Sequence, residues 1–250
     1  ALQSAENARP VHSIPLPRTT PAVVRNAVAA LDDDDPEVVE KAAARLANRA
    51  REQGQPSQWF EPLYQAADGD ARYVPWADLE PHPLLHDPAP QSPKSSGRAA
   101  VVGCGLGDDA EWVAARADSV WAFDVSATAI EWAKQRWPDT RVQYEQADLF
   151  ALPPERLGAF DWVVEVYTLQ ALPPESRAAA SRAIASLLAP GGELWIITRI
   201  RPDDGEWGPV PWPLLRRELD ALSTMGLELV KEAALPDTDL VRSHWRRPAG

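Results

Sequence analysis

A glycine-rich turn at residues 103–107 is the part of this sequence best suited to holding a nucleotide-like ligand. Gly103, Gly105 and Gly107 lie between the apolar run "RAAVV" and a run that opens with two aspartates. Glycines at a strand-to-helix turn let a ligand approach the backbone closely. The dinucleotide-binding pattern G-x-G-x-x-G requires a third glycine at position 108, where this chain has Asp108. Because a carboxylate there would repel a pyrophosphate, the turn favours a ligand that presents an ammonium group.

Two further acids lie where the next predicted strands end. Asp124 closes the run "SVWAFD", and Asp148 closes "RVQYEQAD". A carboxylate in the place of Asp124 can accept hydrogen bonds from both ribose hydroxyls, and Asp148 can accept from an adenine amino group. Asp124 fits either class of ligand, whereas Asp108 and Asp148 favour a nucleoside that carries an amino acid, which describes S-adenosylmethionine. We predict a site for it formed by Gly103, Cys104, Gly105, Gly107, Asp108, Asp124, Val125, Asp148, Leu149, Glu165 and Trp76.

These residues belong to a regular alternation of strand and helix patterns that begins near residue 98. Apolar runs such as "AAVVGC", "SVWAFDV", "FDWVVEVY" and "GELWIITRI" alternate with helical patterns such as "ATAIEWAKQRW" and "PESRAAASRAIASLLA". This order predicts an α/β fold with a doubly wound, mostly parallel sheet. The closing runs "LELVKEAA" and "LVRSHWRR" are close in sequence, which is typical of an antiparallel pair at a sheet edge.

Five motifs in this order resemble those of the class I S-adenosylmethionine-dependent methyltransferases. They are "VVGCGLGDD", "AFDVS", "QADLF", "FDWVVEVYTLQAL" and "LLAPGGELWII", and the resemblance covers residues 98–250. It implies a seven-stranded Rossmann-like sheet and S-adenosylmethionine as cofactor. It also implies methyl transfer to a small-molecule acceptor, a thiol, hydroxyl or amine, by in-line attack on the sulfonium methyl group.

A finer resemblance is to the thiopurine and thiol or halide methyltransferase branch. The segments "WFEPLYQAADGDARYVPWADLEPHPLL" and "GEWGPVPWPLLRREL" look like the aromatic cover and the later loop of that branch. Where the thiopurine enzymes place an arginine near the acceptor, this chain has Val166.

Candidate catalytic and acceptor-binding residues follow the fourth strand pattern or lie in the two irregular segments. Glu165 and Tyr167 are the predicted catalytic residues, because ligands of open α/β sheets bind at the carboxyl ends of the strands. The predicted acceptor-binding residues are Trp59, Tyr167, Gln170, Trp207 and Trp212. We expect Cys104 to be a buried, inert thiol. We expect no metal site at His82 and His86; as an alternative role, one of these histidines could act as a base over the acceptor.

The domain organisation and the partners are also predicted. Residues 1–55 are expected to form an N-terminal arm and helical extension, and residues 56–250 the methyltransferase domain, with lid segments 56–87 and 203–213 over the pocket. The net charge of −12 disfavours a nucleic-acid partner. No apolar run approaches the roughly 20 residues that cross a membrane. With one cysteine, the chain fits a reducing, cytoplasmic location, as a monomer or homodimer.

Two alternatives remain open at this point. An NAD-dependent oxidoreductase could use a related sheet, although Asp108 disfavours it. A non-catalytic protein could bind the adenosyl ligand in a regulatory or interaction role, with residues 21–54 as the partner surface.

Overall fold

The computed structural model describes residues 36–86, 97–202 and 210–250, with side chains from residue 41 onward. The sequence also predicts a short helix over residues 21–31, with Pro21 at its first position, and a linker of proline, serine and glycine over residues 88–97. That helix, most of that linker and most of the lid segment 203–213, with Trp207, lie outside the described residues. Seven α-helices are described: α1 (Pro36–Glu52), α2 (Phe60–Ala67), α3 (Asp108–Ala114), α4 (Ala127–Arg136), α5 (Thr168–Ala171), α6 (Pro174–Ser186) and α7 (Arg216–Asp220). The strands are β1 (Arg98–Val102), β2 (Ser119–Asp124), β3 (Gln143–Gln146), β4 (Phe160–Val166), β5 (Leu188–Arg201), β6 (Leu214–Leu215), β7 (Glu228–Ala234) and β8 (Leu240–Arg246).

The central sheet has the strand order β3-β2-β1-β4-β5-β8-β7, and the two-residue β6 pairs with the end of β5. Neighbours along this seven-stranded path are parallel except at β8, which is antiparallel to both β5 and β7. The predicted mostly parallel sheet and its antiparallel closing pair are confirmed. The carboxyl ends of β1, β2 and β4 therefore meet at one edge of the sheet.

Helices cover both faces of this sheet, as its burial pattern requires. Along β1, Ala99 and Val101 pack on one side with Trp112 and Val113 of α3, whereas Ala100 and Val102 pack in the apolar cluster on the other side. Successive strand residues point to opposite faces, so a strand buried on both faces must be apolar throughout. The continuous runs of valine and alanine in the sequence have this cause.

The run "WPLLRRELDALSTMG", residues 212–226, predicts one helix with Gly226 past its end, and the extent of this prediction is wrong. Leu214 and Leu215 are buried and pair with the end of β5, so α7 begins only at Arg216. Glu218 accepts a hydrogen bond from the Leu215 N–H group (2.7 Å), which fixes the start of the helix. A 3₁₀ turn over Ala221–Met225 replaces the remainder.

Helix α1 packs against residues 56–86, the described part of the first predicted lid segment, which is called the cover segment below. Ala43, Ala47 and Ala50 share one apolar cluster with Trp59 and Leu63. The division of the chain near residue 55 stays a prediction, but the two sides of that boundary are in contact. No described helix has the length and apolar character needed to cross a membrane.

Candidate active site

Two adjoining cavities lie at the carboxyl edge of the sheet. The larger has a volume of about 390 Å³ and the smaller about 70 Å³. Gly103, Val166 and Tyr167 line both of them, and Trp76 and Asp78 of the cover segment do so as well. Gly103 of the glycine turn is therefore part of the wall that the two spaces share, and the rest of the turn lines the smaller one.

The glycines of the turn are required by neighbouring side chains as well as by space for a ligand. Gly103 has φ +59°, and a Cβ there would lie 2.3 Å from Thr168 Oγ1. At Gly107, with φ +93°, a Cβ would lie 2.3 Å from Tyr144 Oη. Close packing onto α5 and β3 thus explains why these two positions hold glycine.

The predicted ribose and adenine acids both face the larger cavity. Asp124 is buried and accepts hydrogen bonds from the N–H groups of Ser126 (2.9 Å) and Gly105 (3.1 Å). Burial raises the pKa of Asp124 to about 6. Asp148 accepts from the Phe150 N–H group (2.9 Å). Val125 and Leu149 line this cavity too, so this part of the predicted constellation comes together.

Asp108 has a different environment from the one predicted. Its carboxylate forms a two-point ion pair with Arg136, at 2.6 and 2.8 Å, while it also lines the smaller cavity. Its neighbour Asp109 accepts a hydrogen bond from the His82 N–H group (2.8 Å) and lines the same cavity. Burial raises the pKa of Asp109 to about 6. The charge of Asp108 is therefore balanced within the protein, and Asp109 was missed by the sequence analysis.

Glu165 requires a correction. It lies inside β4 rather than after it, is fully buried, and lines neither cavity. Its Oε1 atom accepts from the Leu169 N–H group (2.9 Å), and Oε2 has no hydrogen-bond partner among the described residues. Burial raises the pKa of Glu165 to about 8, so the group is protonated at neutral pH. The observed role of this residue is to bind the start of α5, and its side chain does not reach the two cavities where the predicted ligand contact would lie.

Tyr167 lies at the junction of the two cavities and is held by His82. Tyr167 has φ +66°, and its Oη atom is 2.8 Å from His82 Nε2. The Leu84 N–H group donates to His82 Nδ1 (3.1 Å), which leaves the imidazole hydrogen on Nε2, pointing at the tyrosine oxygen. Burial lowers the pKa of His82 to about 4 and raises the pKa of Tyr167 to about 12. Neither group is therefore arranged to remove a proton at neutral pH.

Gln170 and Arg199 form another part of the wall of the larger cavity. Gln170 is buried, and its Oε1 atom accepts from the backbone N–H group of Arg199 (2.8 Å) and from Thr198 Oγ1 (3.0 Å). Arg199 forms an ion pair with Asp239 at 2.6 Å. Arg199 was not predicted, although its place near the carboxyl end of β5 follows the rule that identified Asp124.

The tryptophans of the two predicted lid segments have different environments. Trp59 and Trp76 line the larger cavity, with ring centroids 5.6 Å apart and planes nearly perpendicular. Trp212 lines neither cavity, because its ring is buried in the apolar cluster that contains Trp59 and Val210. Its neighbours Val210 and Pro211 take the predicted place at the cavity wall. Cys104 is buried beside the smaller cavity, and burial raises the pKa of its thiol.

Comparisons with known proteins agree with this geometry. The family described as "Methyltransferase domain" matches residues 100–192. Thiocyanate methyltransferase 1 of Brassica oleracea is 30% identical over 162 residues, which cover 63% of this chain and 70% of that protein. The probable thiol methyltransferase 2 of Arabidopsis thaliana is 28% identical over 166 residues, covering 64% of this chain and 72% of that protein.

Solved structures share the fold. The S-adenosylmethionine-dependent methyltransferase from Methanosarcina mazei has a TM-score of 0.55 at 16% identity, covering 69% of this chain and 100% of that one. The N-methyltransferase NodS from Bradyrhizobium japonicum, solved with S-adenosyl-L-homocysteine, has a TM-score of 0.51 at 24% identity, covering 60% and 78%. The chain therefore belongs to the class I S-adenosylmethionine-dependent methyltransferases, with relatives in their thiol methyltransferase branch, and S-adenosylmethionine is its cofactor.

Proposed function

We propose that this enzyme methylates the sulfur atom of a small thiol. The sulfur would attack in line, forming a bond to the methyl carbon while the bond from that carbon to the sulfonium sulfur breaks. The observation that carries the proposal is the arrangement of His82 and Tyr167, in which neither group can take up a proton at neutral pH. A thiol ionises near neutral pH without help, whereas an alcohol benefits from a base. The names of the thiol and thiocyanate methyltransferase relatives support the same choice.

The cofactor would be held by this chain's acids and by its glycine turn. Each oxygen of the Asp124 carboxylate accepts a hydrogen bond from a backbone N–H group and has a further lone pair for the ribose hydroxyls. Asp148 would accept from the adenine amino group, beside the apolar side chains of Leu149 and Phe150. In the smaller cavity, Asp109 and Asp78 are the acids suited to the ammonium group. When bound, the cofactor supplies an electrophilic methyl group.

Aromatic residues of the cover would exclude water from this reaction. Trp59, Phe60 and Trp76 line the larger cavity and contact one another edge-on or stacked. The Trp76 indole N–H group donates to Tyr64 Oη (2.9 Å), which fixes the ring at the junction of the two cavities. An aromatic ring in this place would also stabilise a sulfonium cation through its π-face.

The test compares acceptors that differ only in the attacking atom. Benzenethiol, phenol and aniline are supplied with S-adenosylmethionine, and the methylated products are quantified by mass spectrometry. We expect kcat/KM for benzenethiol to exceed the other two values by at least about 100-fold, because neither His82 nor Tyr167 is arranged to remove the phenol proton and neutral aniline is a weaker nucleophile than a thiolate. A preference for phenol or aniline would contradict the proposal.

A second measurement tests the absence of an enzymatic base. The pH dependence of kcat/KM is recorded for thiols of different acidity. We expect the rise in rate to follow the pKa of each thiol in turn. An inflection that stays at one pH for every thiol would reveal a base on the enzyme.

A further inference from the structure

We propose that Arg199, Gln170 and Tyr167 together select an acceptor that carries a negative charge. The inference rests on the proposed methyl transfer and narrows its substrate class. The three side chains come from β5, from α5 and from the residue after β4, and all line the larger cavity. They are neighbours: Gln170 Oε1 accepts from the Arg199 backbone, and the Tyr167 N–H group donates to the carbonyl of Ile197 (3.0 Å) on the same strand.

The orientation of the Gln170 amide is fixed by its surroundings. A backbone N–H group can only donate, so the atom that faces the Arg199 N–H group must be the amide oxygen. The hydroxyl of Thr198 donates to the same oxygen. No acceptor among the described residues takes the Nε2 hydrogens, so Gln170 offers donors to the cavity that it lines.

The direction of the hydrogen bond at the Tyr167 hydroxyl is also determined by its surroundings. Because His82 is held with its hydrogen on Nε2, the tyrosine oxygen accepts this hydrogen bond. The tyrosine then keeps its own hydrogen for another partner. Tyr167 is therefore a second donor on the wall of this cavity.

Arg199 adds a positive charge to these two neutral donors. Its side chain is 43% exposed, and its ion pair with Asp239 engages one guanidinium nitrogen. The planar guanidinium group has five N–H donors, so most remain for a ligand. The acids of the larger cavity lie elsewhere: Asp124 and Asp148 face the predicted nucleoside, and Asp78 lies at the junction with the smaller cavity. Asp239 is the acid paired with Arg199, and Asp78 acts electrostatically on Tyr167 from the junction, so Arg199 is the group on this wall that can attract an anion.

Two sources of negative charge fit such a group of donors. The charge can lie on the attacking atom itself, or on a carboxylate attached to the acceptor. Thiocyanate carries its charge on the attacking ion, and 4-mercaptobenzoate carries an additional carboxylate. The methyl ester of 4-mercaptobenzoate has nearly the same shape but lacks the carboxylate charge. These three acceptors distinguish the sources.

The principal variant is Arg199→Gln, with Arg246→Gln as its matched control. Arg246 is 48% exposed and paired with Glu193 at 3.0 Å, like Arg199 with Asp239, but it lies at the opposite edge of the sheet. If an acceptor carboxylate is the source, Arg199→Gln raises KM for 4-mercaptobenzoate by about 10- to 100-fold, the cost of losing a charge-assisted hydrogen bond. The ester keeps its KM and kcat is little changed. If the attacking atom carries the charge, Arg199→Gln raises KM for thiocyanate. It also raises KM for 4-mercaptobenzoate and KM for its methyl ester by equal factors.

A change of less than about twofold for all three acceptors, as expected in the control, would overturn the inference. The isosteric variant Gln170→Glu keeps the bond to the Arg199 backbone but removes the donors, and we expect it to raise KM for the anionic acceptors as well. Arg199→Lys retains the charge and should restore part of the affinity. Unchanged KM values in both Arg199→Gln and Gln170→Glu would exclude the donor arrangement.

A binding measurement separates this inference from the proposed function. Benzoate is titrated calorimetrically into the enzyme saturated with S-adenosyl-L-homocysteine. If the parent methylates no thiol but binds benzoate, and Arg199→Gln abolishes that binding, the proposed function fails and the anion selectivity stands. If neither benzoate nor thiocyanate binds to the parent, the selectivity itself is wrong.

Discussion

Replacing Gly103 by alanine tests the tight packing between the glycine turn and α5. The new methyl group would lie 2.3 Å from Thr168 Oγ1, at a backbone φ of +59°. A left-handed conformation costs an L-residue about 1–2 kcal/mol. Displacing a packed side chain costs roughly a further 1–3 kcal/mol. We therefore expect Gly103→Ala to lower the free energy of unfolding by about 2–5 kcal/mol.

Gly158→Ala is the control, because it isolates the cost of backbone conformation. Gly158 has φ +63°, and nothing lies within 4 Å of a Cβ built there. We expect a loss of only about 1–2 kcal/mol. Urea unfolding followed by tryptophan fluorescence gives both values.

The double variant Gly103→Ala/Thr168→Ala removes the atom that clashes. It should recover most of the difference in unfolding free energy between Gly103→Ala and Gly158→Ala. About 1 kcal/mol should stay lost, because Thr168 no longer donates a hydrogen bond to the Val102 carbonyl. If Gly103→Ala is no more destabilising than Gly158→Ala, the steric reasoning is refuted.

Three further predictions concern ionisable groups. Asp124→Asn should weaken S-adenosylmethionine binding by about 10- to 100-fold at pH 8; unchanged affinity in calorimetry would exclude the ribose contact. Glu165 has its pKa raised from 4.5 to about 8, so the parent should lose stability as pH rises from 4.5 to 8. Glu165→Gln should remove that loss and keep kcat within about threefold; a much larger fall in kcat would indicate a ligand contact. His82 has its pKa lowered from 6.5 to about 4, so the parent should lose stability as pH falls through this interval. His82→Gln should flatten the slope of unfolding free energy against pH there, and an unchanged slope would contradict the assignment.

The order of elements and the shared location of Asp124 and Asp148 could be predicted for the same physical reason. Strands buried on both faces are continuously apolar, and this makes them visible in the sequence. Because parallel strands end at one edge, Asp124 and Asp148 had to lie near each other. Both face the larger cavity.

Glu165 shows where that reasoning fails. It is one residue from the end of β4, and successive strand residues face opposite sides of the sheet. A position near the edge therefore does not specify which side chains reach the ligand. Asp108 lies at the start of α3, and its ion-pair partner Arg136 lies at the end of α4, 28 residues later in the chain. No local sequence pattern predicts such a contact. The burial of Trp212 is likewise decided by the packing of α1 and the cover.

The cover segment and the nucleoside site are connected through Glu61 of α2. Its carboxylate accepts hydrogen bonds from Ser126 Oγ (2.6 Å), Thr128 Oγ1 (2.7 Å) and the Thr128 N–H group (3.1 Å) at the start of α4. Burial opposes ionisation, but the hydrogen bonds from Ser126 and Thr128 outweigh it and lower the pKa of Glu61. Ser126 also donates its backbone N–H group to Asp124. The wall that α2 contributes is therefore connected to the predicted ribose acid through Ser126, and the cover segment and the larger cavity form one hydrogen-bonded unit.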